Sequence, residues 1–165
     1  MAKLVKGIIA AMVTSMNDDE SLNFEEIKNQ VNRQIAAGVD AVCVCGTTGE
    51  SATLSSSEQL TLIAHAMQYT AGRCKIIAGT GSNDTAHASD MSRAASSMGA
   101  CAVLVVTPYY NKCTQSGLIA HYTAIADAVS CPVICYNVPS RTGLDLKQRE
   151  MITFCFLMAQ GGCEP

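Results

Sequence analysis

Asp40-Ala41-Val42-Cys43-Val44-Cys45-Gly46-Thr47-Thr48-Gly49-Glu50-Ser51 changes character halfway along. After Asp40 the first half is apolar at every position, so an extended chain there is apolar on both faces. That pattern belongs to a strand of a parallel sheet covered on both sides. The second half is short, polar and glycine-rich. Four residues later Ser55 and Glu58 have the spacing of a capping box, which predicts a helix running to about Ala71-Gly72. Strand, polar loop and helix in this order make one β/α unit.

The same unit repeats in both directions. Toward the N-terminus, Gly7 to Val13 reads as a first strand. A helix follows from Asn23, with Glu26 three residues on as a capping-box-like partner. Phe24, Ile27, Val31 and Ile35 form one apolar stripe, and Gly38 is a natural stop. Toward the C-terminus, Lys75 to Ala78 is a third strand. Asp84 or Thr85 opens a third helix that ends near Gly99. Cys101 to Val106 is a fourth strand, Ser116 to Val129 a fourth helix and Val133 to Tyr136 a fifth strand. The tail from Asp145 to about Gln160 is a candidate fifth helix.

Strict alternation of this kind argues for a parallel α/β sheet. Two closures are open to it, a doubly wound open sheet and a (β/α)8 barrel. No GxGxxG fingerprint and no GxxxxGK[ST] loop occurs; Gly79-Thr80-Gly81 meets Asp84 where a third glycine would stand. The longer polar loops all follow strands, which puts them on the face that carries chemistry in barrels. A full barrel takes about 250 residues, and this chain has 165. The expectation is an incomplete (β/α)8 barrel of about five parallel units, half-barrel-like.

Composition narrows the function classes. The chain is 48% hydrophobic and 15% charged, enough to bury a core. Its net charge of -3 is spread without basic runs, and aromatic content is 5% with no Trp. Nucleic-acid binding is not expected. Nine cysteines are many for this length, their number is odd, and no CxxC pair occurs. Cys43 and Cys45 would share one strand face, yet no His or second Cys pair follows at ligand spacing, so no metal site is expected. Reduced thiols in a cytoplasmic protein are the better reading. Lys3 and Lys6 before Gly7-Ile8-Ile9-Ala10-Ala11-Met12-Val13 mimic a short signal peptide, but no small-x-small cleavage site follows. No run approaches the roughly 20 apolar residues of a membrane span.

Three strand-end loops carry candidate chemistry. Gly46-Thr47-Thr48-Gly49-Glu50-Ser51 offers adjacent hydroxyls and backbone N–H groups suited to a small carboxylate; by itself it reads equally as a capped turn. Thr107-Pro108-Tyr109-Tyr110-Asn111 has two neighbouring tyrosines that cannot both point inward, so one is free to reach a neighbouring subunit or to plug the rim. Tyr136-Asn137-Val138-Pro139-Ser140-Arg141-Thr142-Gly143 sets a phenol near a guanidinium, a proton donor beside a carboxylate clamp.

Taken in this order, the three loops resemble the dihydrodipicolinate synthase (4-hydroxy-tetrahydrodipicolinate synthase) family, TIM-barrel lyases of the pyruvate-dependent Schiff-base class in lysine biosynthesis. The resemblance covers roughly residues 4–145. The related N-acetylneuraminate lyases share the fold but lack the arginine corresponding to Arg141. The resemblance implies a proton relay of Thr47, Tyr110 and Tyr136, with Tyr110 supplied across a tight dimer interface. It implies that Thr48 holds the pyruvate carboxylate and Arg141 the carboxylate of aspartate semialdehyde. No cofactor is implied. Asn83 and Tyr109 match positions of the family's regulatory lysine site, whereas Gln59 and His87 stand where many members carry His and Glu.

The family's reaction begins with a lysine on strand six whose amine forms an imine with pyruvate. After about Leu146 this sequence leaves the pattern and reads Lys147-Gln148-Arg149-Glu150-Met151 onward. The expected domain is therefore residues 1–145, with 146–165 a divergent, helical tail, as a frameshift or truncation would leave. Lys3, Lys6, Lys28, Lys75, Lys112 and Lys147 are the lysines present, and only Lys112 falls on the loop face. The expectations are a chain inactive alone that binds pyruvate-like carboxylates weakly and self-associates, as a homodimer first. Two further readings are a non-catalytic subunit modulating a full-length synthase and a lyase completed by a partner chain.

Overall fold

The computed structural model describes residues 7–147. It contains five strands: β1 (Ile9–Ala11), β2 (Ala41–Val44), β3 (Lys75–Gly79), β4 (Ala102–Val106) and β5 (Val133–Tyr136). Between them run α1 (Phe24–Ala36), α2 (Ser56–Thr70), α3 (Thr85–Met98) and α4 (Gln115–Asp127), and a short α5 (Pro139–Thr142) follows β5. The strands form one parallel sheet in the order β1-β2-β3-β4-β5. Each strand pairs with the next in sequence, with no reversal of order. A doubly wound sheet reverses at a switch point; this sheet advances in one direction, as a barrel wall does.

The core is divided accordingly. Alternate strand residues Val42, Val44, Ile76, Ala78, Val103 and Val105 join helix residues Ile27, Val31, Leu62, Ile63, Ala66, Ala88, Ala95, Leu118, Tyr122 and Ile125 in the main core. The opposite strand face contributes a small cluster of Ala41, Cys43, Ile77 and Ala102, packed by Cys101, Leu104 and Ile134, and contains no helix residue. All four long helices therefore cover one face, and the other is the wall of a half-barrel. Its first strand shows the consequence: Ile9 is 44% exposed, with Ile8 at 67% and Val13 at 48% beside it.

Local chemistry sets the helix ends. Asn23 Oδ1 accepts from Glu26 N at 2.9 Å, while the Glu26 carboxylate accepts from Asn29 Nδ2 at 3.3 Å. Ser55 and Glu58 make the full reciprocal box, Ser55 N donating to Glu58 Oε2 at 2.8 Å and Glu58 N to Ser55 Oγ at 3.3 Å. Asp84 caps α3 and Thr114 caps α4.

Three expectations are corrected. The first strand is shorter than Gly7–Val13: Gly7 has φ +117, and the register with β2 runs only from Ile9 to Ala11, closed by Met12 N donating to Cys43 O at 3.0 Å. Cys43 and Cys45 do not share a face. Cys45 adopts φ +55, which breaks the alternation, so Cys43 joins the inner cluster and Cys45 the helix-side core. The fifth helix does not begin at Asp145. Buried Leu144 and Leu146 alternate with exposed Asp145 and Lys147, a period of two rather than 3.6. The rest of that stretch, 148–160, lies outside the described residues. A one-turn helix stands earlier instead, with Pro139 at its first position and Gly143 at φ +67 just past its end.

Candidate functional site at the strand ends

The loop after β2 turns sharply because Cys45 and Glu50 both take left-handed backbone conformations. Gly49 N donates to Gly46 O at 3.0 Å and Glu50 N to Thr47 O at 3.1 Å, closing two successive turns. From β1's side, buried Thr14 Oγ1 donates to Gly49 O at 2.7 Å and fastens the loop. Thr47 and Thr48 are left exposed at the rim.

A tight crossing lies beneath this rim. A Cβ on Gly79, at the end of β3, would stand 2.0 Å from Cys45 O, and one on Gly81 2.4 Å from Val106 N. Side chains cannot occupy those positions while the neighbouring backbones stay where they are. The Gly79-Thr80-Gly81 stretch, which falls short of a dinucleotide fingerprint in the sequence, is thus a packing device that lets three strand ends converge.

Two cavities open there. An apolar one of about 280 Å³ is lined by Ile9, Ala11, Cys43, Ile77, Leu104 and Ile134, with Thr47, Thr48 and Tyr136 at its polar end. A larger cleft of about 500 Å³ includes Thr47, Glu50, Gln59, His87, Tyr109 and Arg141 in its wall. The structure therefore brings Thr47, Thr48 and Tyr136 around one cavity, and Thr47 and Arg141 along the other, with Thr47 common to both. Tyr110 lines neither. It is 88% exposed at φ +72, whereas its neighbour Tyr109 turns into the cleft.

The loops after β4 and β5 are joined by a network that motif reading alone did not reveal. Thr107, fully buried, donates from Oγ1 to Thr142 Oγ1 at 3.0 Å, and Thr142 Oγ1 lies 3.1 Å from Leu144 O. Asn137 Nδ2 donates to Asp145 Oδ1 at 2.8 Å, its Oδ1 accepts from Leu146 N at 3.0 Å, and Gln115 Nε2 donates to Asp145 O at 2.8 Å. These bonds hold the Arg141-bearing turn against β4. Both threonines lie inside the loops singled out from sequence; their burial is what the sequence could not display.

Around the cleft, Gln59 Nε2 is committed to Ser51 O and Leu54 O at 2.9 and 3.1 Å, bracing the first loop. Asn83 Nδ2 donates to Tyr109 O at 3.3 Å. The inner thiol, Cys43, is pushed up to about 11 by burial, so it stays a neutral apolar wall at physiological pH. Chemically the arrangement offers neutral hydroxyl donors above an apolar floor and one exposed guanidinium at a distance along the cleft. Neutral donors over an apolar floor suit a small acid, and an exposed guanidinium suits an anionic group.

Among the described residues no lysine lines either cavity. Lys28 is on α1, Lys75 begins β3 at the opposite end of the sheet, and Lys112 and Lys147 are exposed, while Lys3 and Lys6 fall outside the described residues. Among the described residues no three His, Cys, Asp or Glu side chains gather as metal ligands, and no helix is long and apolar enough to cross a membrane.

Comparison with known proteins follows the same lines. The model of the dihydrodipicolinate synthetase family matches residues 4–158. A 4-hydroxy-tetrahydrodipicolinate synthase of Thermoanaerobacter sp. (strain X514) is 52% identical over 141 residues, covering 86% of this chain and 47% of that protein. The crystal structure of dihydrodipicolinate synthase from Aquifex aeolicus superposes with a TM-score of 0.89 at 41% identity, over 91% of this chain and 51% of that one. The chloride-inhibited enzyme from Acinetobacter baumannii, complexed with pyruvate, gives 0.88 at 44% identity, over 90% and 51%. The chain thus spans about half the length of the relatives it matches.

Proposed function

The chain belongs to the dihydrodipicolinate synthetase family, and from that premise we propose that it is a synthase-like chain that keeps the reactant-positioning half of the site and does not catalyse alone. In this reading Thr48 holds the carboxylate of a pyruvate-like acid, and Thr47 and Tyr136 carry the proton relay. Arg141 holds the carboxylate of aspartate semialdehyde. Tyr110 completes the relay in a second copy. A chain of hydroxyls moves protons without burying a charge, which fits the apolar floor beneath Thr47 and Thr48.

The observation that carries the inactivity is the position of the lysines: among the described residues none borders either cavity. Imine formation needs an amine seated beside the ketoacid carbonyl, in a setting that lowers its pKa. Lys112, in the loop after β4, is exposed, with its Cε lying over Gly143, and Lys147 is exposed beside Gln115 at the start of α4. A coupled assay of the purified chain with pyruvate and aspartate semialdehyde is expected to show no rate above buffer. Turnover that scales with chain concentration, in material free of host synthase, would reject the proposal.

Self-association is the second part of the reading. Ile8, Ile9 and Val13 are exposed beside the open β1 edge, and Tyr110 projects away from its own site. Unpaired edges and exposed apolar strands favour pairing with another chain. A homodimer is expected by light scattering at low micromolar concentration; a compact, stable monomer at that concentration contradicts it. The same exposed surfaces would serve mixed assembly with a full-length synthase, which co-purification with such a homologue tests.

A further inference from the structure

The hollow beneath Thr47 and Thr48 is larger than the acid assigned to it. Every strand gives it a side chain: Ile9 and Ala11 from β1, Cys43 from β2, Ile77 from β3, Leu104 from β4 and Ile134 from β5. Register sets Ala11 beside Cys43 and Cys43 beside Ile77 in one row, with Leu104 beside Ile134. The two small residues leave space, and the aliphatic ones wall it. Gly46 roofs it; a Cβ there would meet Cys43 Sγ at 3.5 Å and Leu104 Cδ2 at 4.0 Å.

The two ends of the hollow differ in chemistry. At the roof, the turn bonds use Gly49 N and Glu50 N as donors. The amides and hydroxyls of Thr47 and Thr48 donate to no group among the described residues. These donors suit the oxygens of an acid. Below them the lining is aliphatic apart from the Cys43 thiol, and no charged side chain among the described residues lines it. The hollow has about 280 Å³. A water takes about 30 Å³ of liquid, so there is room for roughly nine such volumes. Pyruvate, whose only apolar carbon is a methyl, fills the polar end and leaves most of the aliphatic wall uncovered.

We propose that the hollow prefers 2-oxo monocarboxylates with a branched aliphatic body to pyruvate. The carboxylate sits at Thr48, the carbonyl oxygen faces the Thr47 and Tyr136 hydroxyls, and the branched carbons pack among Ile77, Leu104 and Ile134. This rests on the reading that Thr48 takes a carboxylate and adds what the rest of the hollow takes. Each further carbon removed from water is worth about fourfold in affinity. A charged group at the far end of the ligand would lose hydration against this wall without gaining a partner, which disfavours dicarboxylates of the same length.

The test is calorimetric titration of the full chain, at one protein concentration, with pyruvate, 4-methyl-2-oxopentanoate and 2-oxoglutarate. The branched acid carries three more carbons than pyruvate and is expected to bind about tenfold or more tightly, with a more negative heat-capacity change. 2-Oxoglutarate is expected to bind no more tightly than pyruvate. Ala11 lines the hollow and is exposed on β1, so Ala11→Phe narrows the hollow without crowding the helix-side core. It is expected to abolish the preference for the branched acid and to leave pyruvate affinity unchanged. Equal affinities for pyruvate and the branched acid in wild type overturn the proposal while leaving the Thr48 reading intact; binding of neither acid overturns both. Tight binding of 2-oxoglutarate, or a preference that survives in a folded Ala11→Phe, also overturns it. The wild-type titrations decide by themselves if the variant does not fold.

Discussion

His121 is the described residue whose surroundings fit it least. It is 4% exposed; Nδ1 pairs with Thr85 Oγ1 at 2.8 Å, tying α4 to the start of α3, and Nε2 has no partner. Burial holds its pKa below the ordinary value of 6.5. The unfolded chain therefore takes up a proton at a pH where the folded chain does not. Above the unfolded value both states are neutral, and stability is unaffected. Below it, stability falls with pH until the folded value is passed. Urea midpoints should drop between about pH 7 and pH 5, and His121→Asn should flatten that slope. Parallel slopes in both proteins would remove His121 as the cause. The residue was not singled out in the sequence, because a lone histidine on a helix gives no sign of whether it is buried. The candidate site residues were more legible. Thr47, Thr48, Tyr136 and Arg141 sit at strand ends that share a face, so their gathering follows from alternation of strand and helix. The outward turn of Tyr110 follows from φ +72, a backbone state that a tyrosine seldom adopts and that its sequence does not announce.

Elements were legible where periodicity was strong and blurred where single backbone torsions intervened. The helix starts at Asn23, Ser55 and Asp84 could be read because caps have a chemical signature. The two-cysteine face of β2 was misjudged because Cys45 leaves the extended region, and β1 was overextended because strand length is set by partners rather than by apolar run. α5 was passed over, although Pro139 and Gly143 bracket it in the order helices prefer. The crossing of β3 beneath the Cys45-Gly46 turn gives this scale its prediction. Gly79→Ala puts a methyl 2.0 Å from Cys45 O, so the β2 and β3 ends must separate. Overpacking of this kind costs about 1–3 kcal/mol or more, and for a domain of this size that lowers Tm by several degrees. Thermal unfolding of the variant checks it; a Tm equal to wild type means that the two backbones do not cross as described.

For the whole molecule, sequence order became sheet order, and that decided between barrel wall and doubly wound sheet. What composition could not convey is the asymmetry between the two faces. One is sealed by four helices, the other carries Ile9, Ile77, Leu104 and Ile134 around an apolar hollow. The hydroxyls of Thr47, Thr48 and Tyr136 stand over that hollow, and among the described residues no lysine lines it. On the proposed reading, acid recognition and covalent chemistry are separable in this chain, and borohydride trapping addresses the separation most directly. Purified chain is incubated with labelled pyruvate and sodium borohydride, then weighed intact by mass spectrometry. The account predicts an unmodified mass and no retained label, even at pyruvate concentrations that occupy the site. A stoichiometric adduct of one reduced pyruvate, mapped to a single lysine, would contradict it.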